Sequence, residues 1–128
     1  MTKVFIDTDI IIDFTKRKGE VLKNLLAQQK LSKIQLITNP VVISEFFTDK
    51  RLVESQKLEK AKLLFRFFTP VEITAKIGYI AGDLLREREI DFLGDALIAA
   101  TCLVRNVPLV TRNKKHFTKV KQLQFYRE

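Results

Sequence analysis

The chain has 128 residues, 46% hydrophobic and 30% charged, proportions that suit a folded domain and exclude wholesale disorder. One domain with one hydrophobic core is expected over residues 1–128, and four glycines and three prolines leave no room for a long flexible linker. A formal net charge of +8 points to a polyanionic partner without saying anything about fold.

Along the chain, Lys3 to Ile6 is short and β-rich and reads as a buried strand. Ile10 to Phe14 begins a helix over the strand end. Val21, Leu22, Leu25, Leu26 and Leu31 keep helical spacing and predict a second helix from about Gly19 to Leu31. Ile34 to Thr38 reads as a second strand. Asn39-Pro40 is a strong helix start, with Asn as N-cap and Pro at the first helical position, and the helix it opens carries Val41, Val42, Glu45, Phe46 and Asp49. A basic amphipathic helix is predicted from Ser55 to Phe67, a short strand from Thr69 to Ile73 and a helix from Thr74 to Glu89. Ile90 to Gly94 reads as a turn, Ala96 to Val104 as an apolar helix and Leu109 to Thr111 as a strand. Lys114 to Phe117 has the length of one helical turn, and Leu123 to Tyr126 reads as an edge strand. Strands alternating with helices predict an α/β fold with a parallel sheet.

The longest uncharged stretch, Ile34 to Ser44, carries Gln, Thr, Asn and Pro, so it cannot span a bilayer. Asp7 and Asp9 interrupt any basic-then-apolar leader plan, and a cytoplasmic location without membrane contact is expected. A single cysteine, Cys102, excludes an internal disulfide, and one Cys with one His cannot make a structural zinc site. Cys102 sits in an apolar run and reads as a buried small hydrophobe.

Four acidic or amide side chains stand where apolar runs stop: Asp7, Glu45, Asp95 and Asn113. An ionised carboxylate among aliphatics is costly near a core unless it is paired or binds a metal. Ligand sites of open parallel sheets form beyond the carboxyl ends of the strands, where Asp7 and Asn113 fall. Glu45 follows in the second turn of the helix opened at Asn39, and Asp95 lies in a first helical turn that favours an anion. Carboxylate ligation with water in the remaining positions suits Mg²⁺ or Mn²⁺. Such an ion activates water and polarises phosphoryl oxygens. No GxxxxGK[ST] loop is present, which argues against nucleoside triphosphate hydrolysis. Each acid also has a plainer reading: Asp7 and Asp95 as helix caps, Asp9 and Asp13 as cap or surface residues, Asp91 as a turn residue. Glu45, crowded by Val42, Ile43, Phe46 and Phe47, is the hardest to explain without a ligand. His116 reads as a surface or supporting residue beside the site.

Asp7-Thr8-Asp9-Ile10-Ile11-Ile12-Asp13, Ser44-Glu45-Phe46, Asp95 to Thr101 and Leu109 to Phe117 together resemble the PIN domain, and within it the VapC-type toxins of prokaryotic toxin–antitoxin pairs. The resemblance covers nearly the whole chain, in order. It implies a Rossmann-like α/β/α sandwich with a mainly parallel sheet, Mg²⁺ or Mn²⁺ dependence and endoribonuclease activity on single strands. By the same resemblance Asp7, Glu45 and Asp95 are the catalytic and metal-binding residues, Asn113 and Asp9 support them, and a small antitoxin protein is the partner. This chain departs from the pattern at the fourth acidic position, offering Asn113 and His116 where relatives often carry Asp, which weakens the case for a second tightly held cation.

The basic clusters Lys16-Arg17-Lys18, Lys50-Arg51 and Arg112 with Lys114 and Lys115 adjoin Asp7, Glu45 and Asn113 in sequence, so they are expected to rim the acidic pocket and bind RNA. The aromatics, mostly Phe in apolar runs, are expected to be committed to packing, leaving no extended base-reading surface. Phe46, Phe47, Phe65, Phe67 and Phe68 exceed what one small core comfortably hides, which predicts a homodimer. Two other readings stay open: a housekeeping RNA-processing or DNA-directed nuclease on the same fold, and a non-catalytic α/β binding module.

Overall fold

The computed structural model describes residues 1–127. Four strands, β1 (Thr2–Ile6), β2 (Ile34–Thr38), β3 (Thr69–Pro70) and β4 (Leu109–Val110), form one sheet in the order β3-β2-β1-β4, every pairing parallel. Val4, Phe5 and Ile6 have no exposed surface, as a strand covered on both faces requires. Val4 pairs with Leu36, and Phe5 with both Ile37 and Leu109. The flanking helices are α1 (Thr8–Thr15), α2 (Val21–Lys30), α3 (Pro40–Phe47), α4 (Ser55–Phe65), α5 (Ala75–Arg86) and α6 (Leu93–Arg105), giving the α/β/α sandwich expected.

The order places β2 and β3 on one side of β1 and β4 on the other, so the chain reverses direction across the sheet at β1. The carboxyl ends of β1 and β4 therefore flank the crevice where such sheets bind ligands. Asp7 and Thr111 are the first residues after those two strands.

Local chemistry accounts for the helix starts. Asn39 accepts from the Val42 N–H at 3.1 Å and Pro40 occupies the first helical position, as the sequence predicts. The Asn39 Nδ2 also donates to Thr101 Oγ1 at 3.0 Å, tying the start of α3 to the buried helix α6. At its other end α6 stops at Asn106, which takes the left-handed conformation while Val107 N–H donates to the Cys102 carbonyl.

Several elements differ from the sequence reading; α4 ends at Phe65 and α5 at Arg86, short of the expected Phe67 and Glu89. Helix α3 ends at Phe47, because Asp49 leaves it to cap a 3-10 turn over Lys50–Val53, accepting from Arg51 N–H at 2.9 Å. Strand β3 stops at Pro70, whose ring nitrogen carries no hydrogen for the ladder. Helix α6 starts three residues early, with Phe92 as its cap. The expected edge strand at Leu123 to Tyr126 shrinks to one bridge between Phe125 and Leu109, held by two backbone hydrogen bonds. A two-residue β4 offers no longer ladder.

Candidate active site

Asp7 is 6% exposed and caps α1, one carboxylate oxygen accepting from Thr8 N–H at 2.7 Å. The other oxygen accepts from Thr111 Oγ1, also at 2.7 Å, so the ends of β1 and β4 meet across this carboxylate. Both partners are neutral, and among the described residues no ion pair reaches Asp7. Its pKa is raised to about 7, first by burial and then by the neighbouring Asp9 charge, with Asp95 adding to the rise.

Asp9 projects from the first turn of α1 toward the same crevice. Its Oδ2 accepts from Thr111 Oγ1 at 3.3 Å and from Arg112 N–H at 3.1 Å, while its Oδ1 is buried without a partner. Burial raises the Asp9 pKa as well. Arg112 brings its backbone N–H to Asp9, yet its guanidinium turns to Asp13 at 2.6 Å. The loop after β4 is thus latched to α1 by two aspartates, and Asp13 serves as that latch, not as a ligand.

Asp95 occupies the third position of α6, half-buried, where the helix N-terminus favours its charge. Its Oδ2 lies 3.2 Å from His116 Nδ1, and an ionised carboxylate can only accept, so the imidazole N–H donates. Glu45 corrects the sequence reading, which placed it among crowding aliphatics. Val42 and Phe46 turn inward, and Glu45 is exposed beside them at the crevice rim. It is held by Thr8 Oγ1, which donates to its Oε1 at 2.6 Å. Its Oε2 lies against Gly94, where an added Cβ would come within 2.9 Å of that oxygen. Asn113 is partly buried; its N–H donates to Thr111 Oγ1 at 3.1 Å, and its side chain makes no hydrogen bond among the described residues.

Three residues escape a search for acids: Thr8 and Thr111, whose hydroxyls orient carboxylates, and Gly94, which lets Glu45 approach α6. Thr111 had a visible signal, a hydroxyl residue closing the expected strand Leu109 to Thr111. Gly94 had none, because only a contact with a distant helix singles it out.

Among the described residues, no three His, Cys, Asp or Glu side chains alone make a metal-holding group. Mg²⁺ and Mn²⁺ do not demand one, since such ions keep several waters and use one or two carboxylates. A buried Asp7 without a cation and an orphaned Asp9 oxygen beside it are the features an oxygen-seeking cation would complete.

The basic clusters divide. Arg112, Lys114 and Lys115 sit on the loop that closes the crevice. Lys16 ends α1, about 13–14 Å along the helix axis from Asp7. With Arg17, Lys23, Arg51, Lys57 and Lys60 it lines a separate groove of about 660 Å³, floored by Phe14, Phe46 and Leu64. Lys18 and Lys50 are exposed outside it, and Arg51 is engaged by Asp49 at 2.7 Å. The aromatics also divide. Phe46, Phe47, Phe65 and Phe68 pack in a chain with ring centroids 5.0–5.5 Å apart, whereas Phe67 and Phe92 stand 58% and 61% exposed.

The PIN domain family model matches residues 4–123. Ribonuclease VapC1 of Methanocaldococcus jannaschii is 26% identical over 127 residues, covering 94% of this chain and 83% of that relative. Among solved structures, the chain resembles VapBC2 from Rickettsia felis bound to a DNA fragment from their promoter, with a TM-score of 0.78, 21% identity and 98% of each chain covered. A toxin–antitoxin complex from Klebsiella pneumoniae gives a TM-score of 0.71 at 23% identity, covering 98% of this chain and 99% of that one. DNA-bound VapBC from Salmonella typhimurium gives 0.79 at 15%, with 98% of each covered.

Proposed function

The chain belongs to the PIN domain family, and we propose that it is a divalent-metal-dependent endoribonuclease, the toxin of a toxin–antitoxin pair, acting as one domain. The observation that carries this reading is the buried, unpaired Asp7 at the sheet's reversal point, with Asp9 and Asp95 near enough to raise its pKa. A relative bearing the name ribonuclease and structural neighbours that are toxin–antitoxin complexes support the substrate and the partner.

Asp7 and Asp95 would hold Mg²⁺ or Mn²⁺, with Glu45 completing the site or positioning water. When bound, such an ion lowers the pKa of water and polarises a phosphoryl oxygen. The chain's own residues supply the geometry. Thr111 and the Thr8 N–H set both Asp7 oxygens, and the Thr8 hydroxyl holds Glu45 over the start of α6. His116 fixes one oxygen of Asp95. Lys114 and Lys115, exposed on the adjoining turn, offset the repulsion between this acidic centre and a phosphate.

Asp7→Asn, Glu45→Gln and Asp95→Asn should each suppress RNA cleavage by ~10²-fold or more while circular dichroism stays unchanged. Full activity in chelator, or in any two of these variants, would sink the reading. The homodimer belongs to the same proposal. Ile43, Phe47, Phe65, Phe68 and Pro70 line an apolar hollow of about 390 Å³ beside the edge strand β3, a surface a second copy would cover. Light scattering that reports a monomer at every concentration would exclude it.

A further inference from the structure

We propose that Phe92 is a stacking platform for an unpaired base of the substrate strand, with His116 at its edge, and so places the scissile phosphate over Asp95. The proposal rests on the reading of the chain as a nuclease and adds a strand-positioning residue to it.

Phe92 caps α6, three residues before Asp95, and its ring is 61% exposed. The His116 ring lies beside it, centroids 6.1 Å apart and planes tilted by 45°. The same His116 contacts Asp95 at 3.2 Å, so the aromatic face and the acidic centre share one residue between them. Phe92 has no part in the core, and Leu93 next to it is equally exposed. Lys114 and Lys115 are exposed on the turn that carries His116, the Lys114 ammonium lying over the Phe125 ring at 5.8 Å from its centroid. An open aromatic face with exposed lysines on the adjoining turn suits a single-stranded polyanion: any base can stack, and the lysines are available to the backbone. A duplex has no free base face to offer, so the platform also selects unpaired strands.

The chain contains no tryptophan, so Phe92→Trp installs a unique fluorophore at the platform. Phe67→Trp is its control. Phe67 is comparably exposed but precedes β3, which runs parallel to the other strands, so it lies at the sheet edge opposite the crevice. Both are made in an Asp7→Asn background, so that the strand is not cut. Each is titrated with end-labelled RNA of about ten nucleotides, a length within the range of single-strand sites. Label anisotropy reports binding, and tryptophan emission reports stacking.

The expected result is saturable quenching at Phe92→Trp, none at Phe67→Trp, and weaker quenching by a hairpin of the same length. Phe92→Leu should bind the strand roughly 5- to 100-fold more weakly, and Phe92→Tyr should restore binding. Anisotropy that rises without quenching at Phe92→Trp would overturn the platform and leave the nuclease reading intact. No binding by either signal, with no cleavage by the unmodified chain, would overturn both. Emission at Phe92→Trp that changes with protein concentration alone would assign the ring to a protein interface and likewise overturn the proposal.

Discussion

Gly94 and Glu45 show how one missing methyl group sets the position of a carboxylate at the crevice. A Cβ at position 94 would meet Glu45 Oε2 at 2.9 Å, and the atom it meets is the end of a flexible side chain. Gly94→Ala should therefore displace Glu45 and leave the fold standing, since alanine is the better helix former. The expected outcome is an unchanged or higher melting temperature with RNA cleavage reduced on the order of 10- to 100-fold; a fully active variant would show that Glu45 needs no such approach. Asp7 supplies a second prediction. Its folded pKa of about 7 lies above the ordinary carboxylate range, raised chiefly by burial. Between about pH 4 and pH 7 the folded state therefore binds more protons than the unfolded one, and stability falls as pH rises through that window. Melting curves of the metal-free protein should show this fall, and Asp7→Asn should remove most of it. A rise in stability across the window would contradict the uncompensated charge at Asp7.

Helices α3 and α6 carry Glu45 and Asp95, so the relation between these two helices sets the distance between their acids. Asn39 joins them: it caps α3 through Val42 N–H, and its amide donates to Thr101, whose hydroxyl in turn donates to the Leu97 carbonyl within α6. Asn39 is wholly buried, so its loss strands both a helix N–H and the Thr101 oxygen. Asn39→Ala should cost about 1–3 kcal/mol of stability. Asn39→Asp, which keeps the cap but cannot donate to Thr101, should recover part of that. Chemical denaturation of the two variants measures the difference; full recovery by Asn39→Asp would mean that the link to α6 contributes nothing.

Charge across the molecule is divided between two surfaces. Arg112, Lys114 and Lys115 border the crevice, and Lys16, Arg17, Lys57 and Lys60 line the separate groove behind α1. A strand bound at the crevice should engage the first group. RNA binding by the Asp7→Asn variant should weaken with salt at a slope of about −0.7 per phosphate contacted. Replacing Lys114 and Lys115 by Ala should flatten that slope, whereas replacing Lys57 and Lys60 should not. The opposite pattern would move the RNA path to the groove.

Much of this was legible in the sequence, because the deciding forces are local. Asn39-Pro40 predicts a helix start wherever it stands, an apolar β-rich run such as Val4 to Ile6 predicts a strand covered on both faces, and an acid closing such a run predicts a site at the strand end. The four stretches Asp7 to Asp13, Ser44 to Phe46, Asp95 to Thr101 and Leu109 to Phe117 also carry enough pattern to suggest the family. What the sequence could not decide depends on contacts between residues far apart in the chain. Helical periodicity turned Val42 and Phe46 inward, but only the packing of α3 beside α1 and α6 shows that Glu45 reaches the crevice from the rim, against Thr8 and Gly94. Phe92 looks like the other phenylalanines in composition. It stands open because it caps α6 outside the core, with the His116 ring at its side. Arg112 reads as a free cation beside the site until the fold brings Asp13 to it from α1. A residue's type sets what it can do, and its tertiary neighbours determine which of those capacities remain available.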